Sequence, residues 1–190
     1  MIRTRDEAVA ITGIPCDLLD GDVRLLTSVP DVKLAVELGT LRGGGAALLS
    51  LVASERVVTI DLFEDIASTA DAYSAKYQQL YGTTYQSVKI ALETFPKVQI
   101  IHGNTRGIPE GIALDSVDLL FIDADHSYLG VKGDYQTWIP YVRRNGRIVF
   151  HDYSYGWRDD VKKFVDDEVS NDPRVTFWEF GGISACFVKN

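Results

Sequence analysis

Hydrophobic and polar positions along this chain switch between two spacings, and the switches mark its elements. Short apolar runs at Lys33–Glu37, Arg56–Ile60, Val98–Ile101, Val117–Ile122 and Arg147–Phe150 read as strands buried on both faces. Helical stretches separate them. Ala46–Val52 is almost wholly apolar, and Val131, Tyr135, Trp138 and Val142 recur at helical spacing behind an N-cap at Ser127. Asn145-Gly146 is expected to turn the chain into the fifth strand. A helix over Asp159–Val169, with Val161, Phe164 and Val165 as its apolar stripe, should stop before Asp172-Pro173. Such β-α alternation predicts parallel strands with helices on both faces. The end departs from it. Val175–Phe180 and Ser184–Lys189 are separated only by Gly181-Gly182-Ile183, a connection too short for anything but an antiparallel hairpin.

Two segments lie outside this frame. Residues 1–30 read as an N-terminal helical segment. Residues 65–95 are expected to form a Tyr-rich helical insertion, with Tyr73, Tyr77, Leu80 or Tyr81, Tyr85 and Val88 at three-to-four-residue intervals and a break near Gly82-Thr83-Thr84. The stripe suits packed core, with a lid or a homo-oligomer face as the functional alternatives. No linker interrupts the pattern, so residues 1–190 are expected to form a single domain.

Composition narrows the partners. A net charge of −8 argues against nucleic acid, which needs clustered cations, and against a polybasic membrane contact. No apolar run has the length of a membrane span, and the start Met-Ile-Arg-Thr-Arg-Asp-Glu lacks a secretory apolar core. Cys16 and Cys186 are far apart and outside any metal-ligand spacing, so both read as core residues in a reduced, cytoplasmic setting.

Candidate chemistry collects at strand ends. The first strand runs into Glu37-Leu-Gly39-Thr40-Leu-Arg-Gly43-Gly44-Gly45, a glycine loop that opens a helix. The dinucleotide spacing Gly-x-Gly-x-x-Gly is absent, and an acid at Glu37 would repel a pyrophosphate but suit a cationic or amine-bearing ligand. Asp61 ends the second strand about twenty residues on, where an acid can accept from both hydroxyls of a ribose. His102-Gly-Asn104-Thr105-Arg106 ends the third with side chains able to read a base edge. Together these suggest an adenosyl ligand. The fourth strand closes on Asp123-Ala-Asp125-His126, where open α/β sheets place their ligands.

From Asp31 onward the chain resembles the class I S-adenosylmethionine-dependent methyltransferases, through Val-Glu37-Leu-Gly39-Thr-Leu-Arg-Gly43 and the acidic Asp61. Within that class, Phe-Ile-Asp123-Ala-Asp125-His126-Ser-Tyr128 and Gly146-Arg-Ile-Val-Phe-His151-Asp152-Tyr153 are similar to the catechol-type, macrolide-sugar and cephalosporin-pathway O-methyltransferases. The resemblance implies a Rossmann-like methyltransferase sandwich, with a mostly parallel seven-stranded sheet and the C-terminal hairpin as its antiparallel part. It implies S-adenosylmethionine as methyl donor, a small-molecule hydroxyl as acceptor, and magnesium as a candidate second component. Glu37 and the Gly39 backbone would hold the methionine part, Asp61 the ribose and Asn104, Thr105 or Arg106 the adenine, with Thr40, Gly43, Leu62 and Asp123 also at the cofactor. Asp123 and Asp152 would ligate the metal, and His126 would be the base.

The chain departs from that pattern in three places. Gly45 stands where metal-dependent relatives carry serine. His151 stands where one relative has an acid, and is either a ligand to a softer metal or a second acid/base group; a hydrogen-bonded strand-end histidine is its structural alternative. Tyr153 replaces an asparagine of the catechol-type enzymes. Two rival readings stay open beside the O-methyltransferase. One is a non-catalytic accessory protein of the same fold; the other, a nucleotide-dependent oxidoreductase, is disfavoured by the glycine spacing and the hairpin.

Overall fold

The computed structural model describes residues 2–63, 80–154, 156 and 159–190. The first helices are α1 (Arg5–Thr12) and α2 (Asp20–Thr27); strand β1 (Leu34–Leu38), α3 (Gly44–Val52) and β2 (Arg56–Asp61) follow. Next come α4 (Tyr85–Ala91), β3 (Val98–His102), β4 (Val117–Ile122), α5 (Tyr128–Trp138) and β5 (Val142–Phe150). The chain closes with α6 (Asp159–Asp167), a 3-10 turn at Val169–Asn171, β6 (Val175–Gly181) and β7 (Ser184–Lys189).

All seven strands form one sheet in the order β3-β2-β1-β4-β5-β7-β6. The first five are parallel, and β7 is antiparallel to both β5 and β6. The α/β layering and the hairpin expected from the apolar pattern are both present. Connections leave β1 in one direction and β4 in the other, so a crevice opens where their C-terminal ends diverge, the usual ligand position in such sheets.

Each sheet face is sealed by its own apolar cluster. Val131, Tyr135 and Trp138 of α5 and Val161, Phe164 and Val165 of α6 pack with Leu120, Ile122, Ile148 and Phe150. On the other face, Val23, Leu25 and Leu26 of α2 and Leu48 and Leu49 of α3 meet Ala35, Val57, Leu119 and Val149. A third cluster gathers Phe63, Val88, Leu92, Ala46 and Ala47.

Boundaries differ from the expected ones where tertiary pairing overrides local pattern. Ser127 does cap α5, accepting from Gly130 N at 3.1 Å. The helix stops at Trp138, however, and Val142 opens β5 by pairing with Val117. Asn145-Gly146 therefore lies inside β5 as an irregularity between two paired stretches, with Asn145 at φ 61°. The last helix ends at Asp167, and its final turn tightens into the separate 3-10 segment. In the Tyr-rich stretch, Thr84 caps α4 at the expected break. Tyr73 and Tyr77 fall outside the described residues.

Candidate active site

The glycine loop binds the ends of β1, β2 and β4 into one unit. Gly39 has φ 93°, and a Cβ there would lie 2.0 Å from the carbonyl oxygen of Asp123, so only glycine lets the loop lie against the end of β4. Gly45, where relatives carry serine, has an equally specific cause. A Cβ at that position would lie 2.0 Å from Glu37 Oε1. The space a serine would take is filled by the Glu37 carboxylate.

Glu37 is buried, and its Oε2 accepts from Thr59 Oγ1 at 2.5 Å, the neighbouring residue across the β1–β2 pair. Burial pushes its pKa well above the ordinary carboxylate range; Thr59 opposes this, while Asp123 and Asp61 add to it. Asp61 is nearly as buried. Its Oδ2 accepts from Thr40 N at 2.7 Å and Leu41 N at 3.1 Å, and its Oδ1 from Phe63 N at 2.8 Å. Burial raises its pKa too, against those N–H donors. An incoming cation would offset the burial that raises both pKa values and so favour the ionised acids.

The 103–107 turn is fastened to α5. Thr105 Oγ1 donates to Asp134 Oδ1 at 2.6 Å, and Trp138 Nε1 donates to the Thr105 carbonyl at 2.6 Å. Arg106 lies 3.6 Å from Asp134 Oδ1 and donates to the carbonyls of Leu129 and Gly130, while Asn104 Oδ1 accepts from Arg106 N. The candidate base-reading side chains are thus engaged in holding their own turn. Asp134 is fully buried with Oδ2 unbonded, and burial, against Thr105 and Arg106, pushes its pKa up to about 6.

At the ends of β4 and β5, Asp123, His126 and Asp152 bring one ligand atom each within 4.8 Å of one another, the metal-capable group found among the described residues. His126 Nε2 lies 3.3 Å from Asp123 Oδ1 and 3.0 Å from Asp152 Oδ2. Asp152 sits at φ 58°, in the left-handed region uncommon for a non-glycine residue. Two carboxylates and an imidazole are a donor set that fits a divalent cation, with hard oxygens suited to Mg²⁺ or Mn²⁺.

His151 lies behind this group. Its Nδ1 is 3.0 Å from Asp123 Oδ1 and 3.5 Å from Asp152 Oδ1; its Nε2 faces Asp22 Oδ2 at 3.7 Å. Burial would lower the imidazole pKa, but Asp123, Asp22 and Asp152 outweigh it and push it up to about 10. The three ligand atoms that lie together are those of Asp123, His126 and Asp152, with His151 behind them. For Asp123, burial works upward, and His151 and His126 together pull its pKa well below the usual carboxylate range. Asp125 turns away from the cluster and accepts from Ser127 N at 2.9 Å. His102 packs beside Tyr85 and Phe63, with Nε2 3.1 Å from the Leu62 carbonyl.

Asp22, Thr59 and Asp134 were not among the residues singled out from the sequence. Each carries a readable signal: a polar side chain on the buried face of an otherwise apolar element. Asp134 shares its helix face with Val131, Tyr135 and Trp138, Asp22 shares one with Leu25 and Leu26, and Thr59 interrupts Val57-Val58 and Ile60.

Sheet order, glycine loop and acidic strand ends define a methyltransferase-type nucleotide fold, and comparison with known proteins agrees. Residues 36–153 match the family described as methyltransferase domain, and the chain belongs to that family. It is similar to an uncharacterized protein of Acanthamoeba polyphaga mimivirus, 27% identical over 141 residues that cover 72% of this chain. The matched region spans 59% of that relative's length. Among solved structures, a Staphylococcus aureus protein provisionally assigned as a caffeoyl-CoA O-methyltransferase aligns at TM-score 0.66 with 21% identity, over 97% of this chain and 90% of that one. The O-methyltransferase TomG of Streptomyces achromogenes, solved with SAM, aligns at 0.64 with 14% identity, over 97% and 87%. An O-methyltransferase from Bacillus cereus, solved with SAH, aligns at 0.63 with 15% identity, over 97% and 90%. The fold is that of the class I methyltransferases. Among the described residues, no helix is long and apolar enough to cross a membrane.

Proposed function

We propose that this protein transfers the methyl group of S-adenosylmethionine to a hydroxyl of a small acceptor. The observation that carries the reading is adjacency: the acidic Glu37–Asp61 pocket and the Asp123–His126–Asp152 group meet where Gly39 touches the end of β4. S-adenosylmethionine carries a sulfonium and an ammonium beside one carboxylate; buried Glu37 suits its cationic methionine part and buried Asp61 its ribose hydroxyls. SAM and SAH complexes of the TomG and Bacillus cereus proteins support the donor's identity.

In the transfer, a lone pair of the acceptor oxygen forms the new O–C bond as the C–S bond breaks. The sulfonium leaves as a neutral thioether, and the hydroxyl proton passes to His126. Asp123 and Asp152 orient His126 through Nε2 and would hold a divalent cation. That cation, when bound, would lower the pKa of the acceptor hydroxyl. In this reading Glu37 and Asp61 bind the donor, and Gly39 lets the loop backbone lie against the end of β4 beside it. Tyr153 follows Asp152 and stacks on exposed Phe180 at 5.2 Å and 22°, an apolar wall that suits a planar acceptor. Tyr155 and Trp157, also candidates for acceptor contact, fall outside the described residues.

The test is a methyl-transfer assay against catechol, phenolic and sugar hydroxyls, with Mg²⁺ and with chelator. Turnover on a hydroxyl panel member, reduced by chelator, is the expected result. Donor binding without turnover on any hydroxyl would favour the accessory-protein reading, and turnover unchanged by chelator would remove the cation.

A further inference from the structure

The N-terminal segment reaches the site through one buried residue. Asp22, on α2, has no exposed surface, and three donors fasten it: Leu19 N to Oδ2 at 2.9 Å, Ile183 N to Oδ1 at 3.0 Å and Ser184 Oγ to Oδ1 at 2.7 Å. These bonds explain a structural acid that ties α2 to the β6–β7 turn. They do not explain its fourth neighbour. His151 Nε2 is buried, has no hydrogen-bond partner, and lies 3.7 Å from Asp22 Oδ2, a charge contact rather than a hydrogen bond.

His151 is clamped on its other sides as well. Its Nδ1 meets Asp123 Oδ1, its ring stands edge-on to Phe121 at 5.8 Å, and its backbone N–H donates to the Ile122 carbonyl. The ring can swing only if its carboxylate contacts to Asp123 and Asp152 on one side, or to Asp22 on the other, give way. Asp22, His151 and Asp123 thus form a line from the N-terminal helix to the carboxylate at the end of β4.

We propose that Asp22 is a positioning residue: it holds His151 from behind, and His151 in turn fixes the carboxylate of Asp123 for the donor and the cation. The consequence for the cation rests on the reading above; the hold on His151 does not. Without that hold the ring can turn away from Asp123, whose carboxylate then loses a fixed partner, which weakens cation binding. Residues behind a metal ligand commonly change affinity about 10- to 100-fold.

Two variants separate positioning from packing. Asp22→Asn keeps a carbonyl oxygen for Ile183 N and Ser184 Oγ, gives up the Leu19 N bond at Oδ2 and removes the charge facing His151. Ser184→Ala removes one turn bond and leaves that charge in place. In the full chain, Mn²⁺ affinity is followed by electron paramagnetic resonance and the His151 ring nitrogens by ¹⁵N resonance, assigned with His151→Gln. Asp22→Asn should weaken Mn²⁺ binding at least about tenfold and move the ring nitrogens, while Ser184→Ala changes affinity less than about threefold and leaves the ring in place. Equal effects from both variants, or none from Asp22→Asn, overturn the proposal. If the wild-type chain binds no Mn²⁺, the cation reading falls by itself, and the ring resonances decide: unmoved in Asp22→Asn, they overturn the hold on His151. If Asp22→Asn does not fold, the wild-type spectrum decides, since a bare Nε2 would contradict the contact and an Nε2–H would uphold it.

Discussion

At the scale of single residues, the proposed chemistry turns on His126 and the two carboxylates at its Nε2. His126→Gln should lower kcat by roughly 10²- to 10⁴-fold, the usual worth of a positioned base, and leave donor affinity within about threefold. Steady-state kinetics paired with calorimetry separates the two effects. A second residue prediction concerns Asp134. Its folded pKa, about 6, is raised from 3.8, so the folded state binds its proton more tightly than the unfolded chain. The stabilisation is fully present below about pH 3.8 and is lost as pH rises through 6. Asp134→Asn removes that dependence. The stability of the variant relative to wild type should rise by up to about 3 kcal/mol between pH 3.5 and 7.5, read from urea denaturation at each pH. A difference that stays flat would show that Asp134 titrates normally. Asp123, His126, Asp152, Glu37 and Asp61 were all legible in the sequence, because a charged residue at the end of an apolar strand stands out. Asp22 and Asp134 were not, because each is hidden in a helix whose period explains its neighbours and whose buried partner lies more than twenty residues away.

At the scale of elements, the β1–α3 loop decides how the donor pocket is built. Its glycines were legible as a ligand loop, but the reason for Gly45 was not, since it depends on where the Glu37 side chain rests. Gly45→Ser should displace Glu37, cost about 1–3 kcal/mol of stability and weaken S-adenosylmethionine binding about tenfold or more. Thermal denaturation and calorimetry check both parts; a serine accepted without loss would mean that Glu37 rests elsewhere. Helix α5 has a similar dual role, since its N-cap Ser127 follows His126 directly. Ser127→Ala should cost about 1 kcal/mol by denaturant unfolding. Element type was read correctly across the described sheet. The ends of α5 and β5 were not, because the helical spacing continues to Val142 while pairing with Val117 claims that residue for the sheet. Asn145-Gly146 looks like a turn locally and becomes a strand irregularity only once β4 lies beside it.

At the scale of the whole molecule, sheet order places Glu37 and Asp61 and the Asp123–His126–Asp152 group around one crevice. Alternating strand and helix signals predicted the parallel part, and the three-residue connection predicted the hairpin. The layout of the N-terminal segment was beyond such reasoning: its docking depends on the buried Asp22, which ties α2 to the far end of the chain. The central claim is that Glu37 and Asp61 make a donor site for a cationic adenosyl ligand. Titration calorimetry with S-adenosylmethionine, on wild type and Glu37→Gln, tests it most directly. One donor per chain at roughly micromolar affinity, weakened about tenfold or more in Glu37→Gln, is the predicted result. No measurable binding by the wild-type chain at millimolar donor would contradict it.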